Sequence, residues 1–389
     1  MIPHRLRSLA PFSALLLAVT AQAGPASSPS SETKDQSIYE QIWGMTKFYE
    51  NKDNPFIQSV RLTGRYHGQY HWTRLDTGDN DEWEHRRFRI GLEVAFAHNF
   101  LLKGEMVSAA GMENFYDGFT ELYLQWKPDP RFALQVGYQK PKFTYDWTTS
   151  SRYILTFERS MLLNQFRPDY APGITLGGKV GKFDYYLGAF SNEPDNDVLN
   201  GFTEFNGGSS YLAQIGYEFG KAWGLELAHA RLEYLYSDIN RDSRILNVFE
   251  HGVAASLQVR QGRKEVVAEL LHGQGESSRA YGLWVMPSYM ITDKLQVVAR
   301  YQAAFSDEPE GLAGQRRYER FAGAGRGERY QAGYLGFNYF LYGHKLKLMG
   351  GVEYADMDGP KGYNGWTGLV GVRVFWGPET KGVQPSTAD

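Results

Sequence analysis

The chain has 389 residues, no cysteine and a formal charge of −3 at pH 7. The missing cysteines exclude a disulfide framework, and the acidic balance argues against a nucleic-acid partner, which needs a basic surface or patch. No run after the first residues is apolar enough for a transmembrane helix. The 43 glycines and 15% aromatic content, with 26 Tyr, are nonetheless unusual for a soluble protein of this size. They suit a transmembrane β-barrel, with aromatic girdles, an apolar exterior and a polar interior.

In chain order, Arg5 and Arg7 begin a basic start, Leu9 to Val19 is a short apolar run, and Ala21-Gln22-Ala23 is a small-x-small cleavage site. Residues 1–23 therefore read as a signal peptide, the run falling short of the ~18 apolar residues that a membrane span needs. Cleavage leaves 39 basic against 44 acidic residues, a formal charge of −5. Residues 24–56 read as a periplasmic leader rich in Ser, Pro and Ala, followed by a short helix in which Ile38, Ile42, Met45 and Tyr49 recur at helical spacing. A cap on the barrel is the simpler role for that helix, and a partner-binding element is the alternative.

From Ile57 the period becomes two. Val60, Leu62, Tyr66, Tyr70 and Trp72 alternate with Arg61, Thr63, Arg65, His67, Gln69 and His71. A second strand opposes Phe88, Ile90, Leu92, Val94 and Phe96 to Arg87, Arg89 and Glu93. Strands this long, charged on one face and greasy on the other, suggest a barrel with a wet lumen. Continuing the pattern gives sixteen strands that begin near Ile57, Trp83, Asn99, Phe115, Arg131, Gly173, Lys182, Ser209, Trp223, Asn247, Arg263, Arg279, Lys294, Gly327, Lys345 and Asn364.

The connections alternate in length. Short ones fall at His98-Asn99, Pro128-Asp129-Pro130, Gly181-Lys182, Gln261-Gly262, Thr292-Asp293 and Tyr342-Gly343-His344. Longer ones fall at Asp76–Asp81, Glu193–Gly208, Asp238–Arg244 and Asp307–Arg326. Short periplasmic turns alternating with long external loops mark an outer-membrane barrel, here over residues 57–376. A slip in the alternation near His229 reads as a β-bulge. The last strand turns Val370, Val372, Val374 and Trp376 outward, and residues 377–389 form a tail.

The longest interruption runs from Gly137 to Gly173. It carries Lys140, Lys142, Arg152, Arg159 and Arg167 against Asp146, Glu158 and Asp169, with aromatics close to the basic residues. A loop this long in a compact fold is functional or disordered, and its aromatic and apolar content argues against disorder. It reads as a loop, residues 140–172, folded into the bore.

Three pieces of that loop carry a family resemblance: Gly137-Tyr138-Gln139-Lys140-Pro141-Lys142-Phe143, Thr149-Ser150-Ser151-Arg152-Tyr153 and Phe157-Glu158-Arg159-Ser160. They resemble the phosphate-selective porin O and P family, whose pattern is a strand ending in Gly-Gln-x-Lys-x-Pro-Phe, then Thr-Ser-Ser, then Phe-Met-Glu-Arg. Here Tyr138 displaces the Gln by one place, and the Met before Glu158 is missing. The resemblance implies a sixteen-stranded, trimeric porin in contact with outer-membrane lipid and lipopolysaccharide. In it the third external loop folds inward, and a ladder of Arg with a cluster of Lys selects phosphate. On motif match it assigns Lys140, Arg152 and Arg159.

Parity alone adds Arg61, Arg65, Arg87, Arg89, Lys103, Lys179, Arg300, Lys347 and Arg373 as lumen cations, and the loop adds Lys142 and Arg167. An anion entering a narrow pore loses hydration and needs replacement donors, which the planar, permanently charged guanidinium supplies. By the same parity Glu93, Glu105, Asp117, Glu121, Glu218 and Glu353 also face inward, and a single inward Arg more often pairs across strands than contacts solute. The expected function is passive diffusion of small inorganic anions, phosphate among them. The alternatives are a weakly selective pore for other hydrophilic solutes, or a plugged barrel serving as scaffold or adhesin.

Gly173-x4-Gly178-Lys179 imitates a phosphate-binding P-loop, but Val180 stands where Ser or Thr is required. His67 and His71 have helical metal-ligand spacing, yet on a strand they lie about 13 Å apart. Nothing groups Ser with His, so no enzyme activity and no cofactor are expected.

Overall fold

The computed structural model describes residues 37–108, 112, 114–192, 208–238, 249–276 and 278–378. The expected signal peptide, the Ser/Pro-rich leader, nearly all of the connections at Glu193–Gly208 and Asp238–Arg244, and most of the C-terminal tail lie outside the described residues.

The strands are β1 Lys47–Glu50, β2 Ile57–Leu75, β3 Gly78–Phe96, β4 Phe100–Val107, β5 Phe119–Asp129, β6 Phe132–Gln139 and β7 Ala171–Val180. They continue with β8 Phe183–Ser191, β9 Ser209–Glu218, β10 Leu227–Ser237, β11 His251–Gln261, β12 Lys264–Gln274 and β13 Arg279–Met290. The series ends with β14 Leu295–Ser306, the two-residue pair β15 Leu312–Ala313 and β16 Arg326–Gly327, β17 Arg329–Tyr342, β18 Leu346–Asp358 and β19 Tyr363–Trp376. Sixteen of them, β2–β14 and β17–β19, close into one antiparallel ring. β14 pairs with β17, and β19 returns to β2 from Gly365↔Leu75 to Trp376↔Gly64. Closure leaves no unpaired edge, which lets a chain without cysteines hold a sheet together.

The alternation explains the two faces. On β2, Thr63, Gln69 and His71 are fully buried while Tyr70 and Trp72 are exposed. Elsewhere Leu270 (61% exposed), Leu335 (60%) and Ile174 (56%) show the outer face to be apolar around the ring. Such a surface is stable against lipid and costly against water. Among the described residues no helix is long and apolar enough to cross a membrane.

Most expected strand starts fall within two residues of those found, and the largest exception has a physical reason. β3 begins at Gly78, not near Trp83, so the expected long connection at Asp76–Asp81 shrinks to a turn at Asp76-Thr77. Polar cross-strand pairs extend this hairpin beyond its apolar part: Thr73 faces Asn80, and Arg74 binds Asp81 at 2.5 and 2.8 Å. A reading that follows apolar alternation stops too soon there. β5, β10 and β11 each begin four residues later than expected. Tight turns at Gly181, Gly262 and Gly343 need the left-handed backbone, with φ of 61°, 54° and 50°.

The β-bulge expected near His229 is absent, since β10 keeps continuous register with both β9 and β11. β10 begins only at Leu227, after a short 3-10 turn at Gly220–Trp223, so the residues before it follow no strand period. A bulge does occur in β3, where His67 faces Arg87 and Gly68 faces His85. The extra residue is Arg86.

Helix α1, Ile38–Gly44, is closed at its start by a capping box between Ser37 and Glu40. Tyr49 of the expected helical stripe lies instead in β1, which pairs with β2 below the point where β19 ends. The Trp43 indole donates to the Phe375 carbonyl at 2.7 Å, and Tyr39 stacks on Tyr342.

Candidate functional site

The connection between β6 and β7 contains two single turns, α2 Tyr145–Thr148 and α3 Leu163–Phe166. Its apolar side chains decide where it packs. Phe143, Met161, Leu162 and Phe166 are almost wholly buried. The strands opposite carry glycine where these side chains arrive. A Cβ at Gly252 would lie 2.8 Å from Phe143, and one at Gly282 would lie 2.6 Å from Leu162.

Polar groups of the barrel then take up the backbone of the connection, whose buried carbonyls and amides need partners. Lys347 donates to the Ile154 carbonyl at 2.6 Å, Asn338 to Leu155 at 3.0 Å, Arg373 to Phe157 at 3.2 Å and Arg300 to Glu158 at 2.9 Å. From the other side, Glu233 accepts the Thr144 amide and Glu269 the Tyr145 amide. Within the segment, Arg159 donates to the carbonyls of Asp146 and Thr149, at 2.8 and 2.6 Å.

Beside this segment lies a cavity of about 930 Å³, lined by thirteen basic and four acidic side chains. Of the residues expected to bind solute, Arg65, Arg87, Arg89, Lys140, Lys142, Arg152, Arg159 and Arg167 all border it, as does Lys103. Glu105, fully buried, holds Arg65 at 2.7 Å, Arg152 at 3.4 Å and Arg89 at 3.5 Å. Glu158 holds both Arg86 and, at 3.3 Å, Arg87. Each carboxylate thus serves more than one guanidinium, leaving net positive charge. Lys140 and Lys142 have no carboxylate partner among the described residues. They lie instead over Trp147 at 4.3 Å and Tyr186 at 5.0 Å. Arg167 and Arg159 approach the same Trp147 ring at 4.9 and 5.2 Å, so one indole gathers three cations.

Other expected cations are elsewhere. Arg61 pairs with Glu50 of β1 at 2.7 Å, away from the cavity. Lys179 pairs with Glu218, which also disposes of the P-loop imitation, since Gly173 to Val180 lies within strand β7. Arg300 does not border the large cavity. It binds Glu353 at 3.0 Å and, with Lys347 and Arg373, holds the 154–158 backbone. Parity placed these three on the right face but could not show that a carbonyl would meet them there.

Four bordering arginines escaped the sequence reading: Arg86, Arg316, Arg317 and Arg320. Arg86 has the wrong parity until the bulge is recognised. The signal for it was present, because Trp83 and His85 fall out of phase with Phe88 and Ile90. Arg316, Arg317 and Arg320 belong to the connection between β14 and β17, where α4, Tyr318–Phe321, has no periodicity to read. Arg317 pairs with Glu84 at 2.9 Å. Glu319 accepts from the hydroxyls of Tyr330 and Tyr363, and burial, aided by the charge of Glu353, pushes its carboxyl up to about 7.

A closed antiparallel barrel of sixteen strands, greasy outside and charged within, defines the class of bacterial outer-membrane channels. The family model for phosphate-selective porin O and P matches residues 60–256, and the chain belongs to that family. It is accordingly a porin of the bacterial outer membrane. No curated protein matches the sequence. Among solved structures, the outer membrane channel DcaP of Acinetobacter baumannii is 17% identical, covering 85% of this chain and 100% of its own, with a TM-score of 0.54. An anion-selective porin from Comamonas acidovorans is 11% identical over 82% of this chain and 99% of its own, at 0.59. OmpF of Salmonella typhi is 12% identical over 85% and 100%, at 0.58. At these identities the likeness is one of fold.

Proposed function

We propose that this porin passes small anions, phosphate among them, and that residues 140–172 form the constriction loop across its bore. The observation that carries the reading is the imbalance of the large cavity, with thirteen basic and four acidic side chains in a chain whose total charge is negative. Local field, not net charge, decides which ion enters a narrow passage. Lys140, Arg159 and Arg167 around Trp147 supply the innermost charges, and Arg65, Arg87, Arg89, Lys103, Lys142 and Arg152 extend them along the wall. Several sites in series let an anion exchange one set of donors for the next without being trapped. The solute-binding role belongs to these residues, and Arg61 and Arg300 act elsewhere. The apolar exterior takes outer-membrane lipid, lipopolysaccharide and two further copies in a trimer.

The test is phosphate block of chloride current through the purified protein in planar bilayers. The reading predicts discrete conductance steps and a chloride current that falls as phosphate is added. Steps without phosphate block would leave a general anion pore, and no steps at all would make the barrel a plugged scaffold.

A further inference from the structure

A second cavity, of about 700 Å³, reaches the end of the barrel where the short turns lie, and it shares only Thr148 and Ser150 among the border residues of the first that are not barrel wall. Its character is different. The cations Arg231, Arg260 and Arg300 are balanced by Asp146, Glu226 and Glu265, so it has no excess field for a small multivalent anion. What distinguishes it is an apolar wall. The partly exposed ring of Tyr145 stands beside one guanidinium, that of Arg231, with Met286 also on the border and Trp284, 2% exposed, packed behind.

Glu269 accepts both the Tyr145 backbone amide and, at 2.9 Å, the Trp284 indole N–H, so one carboxylate ties the Tyr145 backbone to the ring packed behind it. The two ring centroids are 6.1 Å apart and their planes tilt at 51°. The Arg231 guanidinium lies 5.9 Å from the Tyr145 ring and makes a single 3.4 Å contact with Glu233, which leaves most of its donors for a ligand. The Tyr145 hydroxyl has no hydrogen-bond partner among the described residues. Concave sites with an apolar body and a few convergent polar groups bind molecules of matching polarity. A guanidinium beside an aromatic ring matches a carboxylate attached to a flat apolar body, the carboxylate taking the planar fork and the body lying on the Tyr145 ring.

We propose that this second chamber is a binding site for planar organic carboxylates of the benzoate type, so that the channel's solutes include such anions as well as inorganic ones. The proposal rests on the anion-porin reading above, because such a solute must first cross the cationic cavity. Binding there is weak enough for release, as throughput requires.

The experiment compares block of chloride current by benzoate and by acetate in planar bilayers, with the full-length protein and with Arg231→Gln and Tyr145→Leu. The wild-type channel is expected to be half-blocked by benzoate at a concentration about tenfold below that for acetate. Arg231→Gln should raise the benzoate value about tenfold, the size of one charge-assisted hydrogen bond. Tyr145→Leu should bring the benzoate and acetate values together. An anion-selective wild-type channel that benzoate and acetate block equally overturns the site and leaves the anion reading intact. Benzoate block insensitive to Arg231→Gln also overturns it. A cation-selective wild-type channel overturns both. The wild-type comparison decides the matter even where a variant does not insert.

Discussion

Two parts of the barrel wall carry inward cations and use them differently. Along β2 and β3, Arg65, Arg87 and Arg89 share Glu105 and Glu158 and border the large cavity, although Arg65 is itself buried. Along β14, β18 and β19, Arg300, Lys347 and Arg373 are almost wholly buried and hold carbonyls of residues 154–158. Charge and parity are the same in both places. What differs is whether a backbone acceptor of the connecting segment lies within reach. Charge in a lumen is therefore no measure of solute contact until the loop's backbone has been accounted for.

Variants on the two walls should fail in different ways. The largest effect belongs to Arg300→Ala. It leaves Glu353, 2% exposed, buried without its ion pair, a change that costs about 3–5 kcal/mol. A clear drop in the thermal unfolding midpoint is expected, together with a larger and noisier conductance as residues 154–158 lose an anchor. Unchanged stability would mean that the buried pair holds nothing.

Next comes the double charge reversal Lys140→Glu with Arg159→Glu on the open side. It replaces two of the three cations around Trp147 and should carry the reversal potential in a salt gradient towards the cation side, with a smaller loss of stability than Arg300→Ala, since Arg159 also donates to the Asp146 and Thr149 carbonyls. Trp147→Leu keeps the charges but removes the ring beneath them, a contribution of about 0.5–2 kcal/mol for each desolvated cation–π contact. Its anion preference should weaken without reversing, and a preference equal to that of the wild type would remove Trp147 from the site.

A smaller effect is expected from pH at the external end. Because the Glu319 carboxyl is raised to about 7 from 4.5, its contribution to holding the β14–β17 connection is complete below about pH 4.5 and is lost as pH rises to about 7. Hydrogen exchange of residues 315–322 should accordingly quicken between pH 5 and pH 8 by more than the intrinsic rate. The smallest effect is that of Arg61→Gln. Its partner Glu50 is solvent-accessible, and such pairs contribute little, so neither stability nor selectivity should move measurably.

Much of the fold was legible because a barrel strand writes its two environments into a period of two. The alternation of Tyr70 and Trp72 with Gln69 and His71 needs no tertiary knowledge. Legibility ended where the period did. The hairpin at Asp76-Thr77 is built from charged and polar cross-strand pairs, so an apolar reading cut it short. The bulge at Arg86 moves one residue across the sheet, and the sequence reading placed the irregularity near His229. The loop motif brought Lys140, Arg152 and Arg159 to the large cavity. Arg316, Arg317 and Arg320 were out of reach because a long connection has no register. Arg300 was misjudged because its acceptor, the Glu158 carbonyl, is more than 140 residues away in sequence.

The central claim is that the field at the constriction is positive. The reversal potential of the purified wild-type protein, in a planar bilayer across a tenfold KCl gradient, tests it most directly. The account predicts a potential close to that of chloride, and a potential close to that of potassium would contradict it.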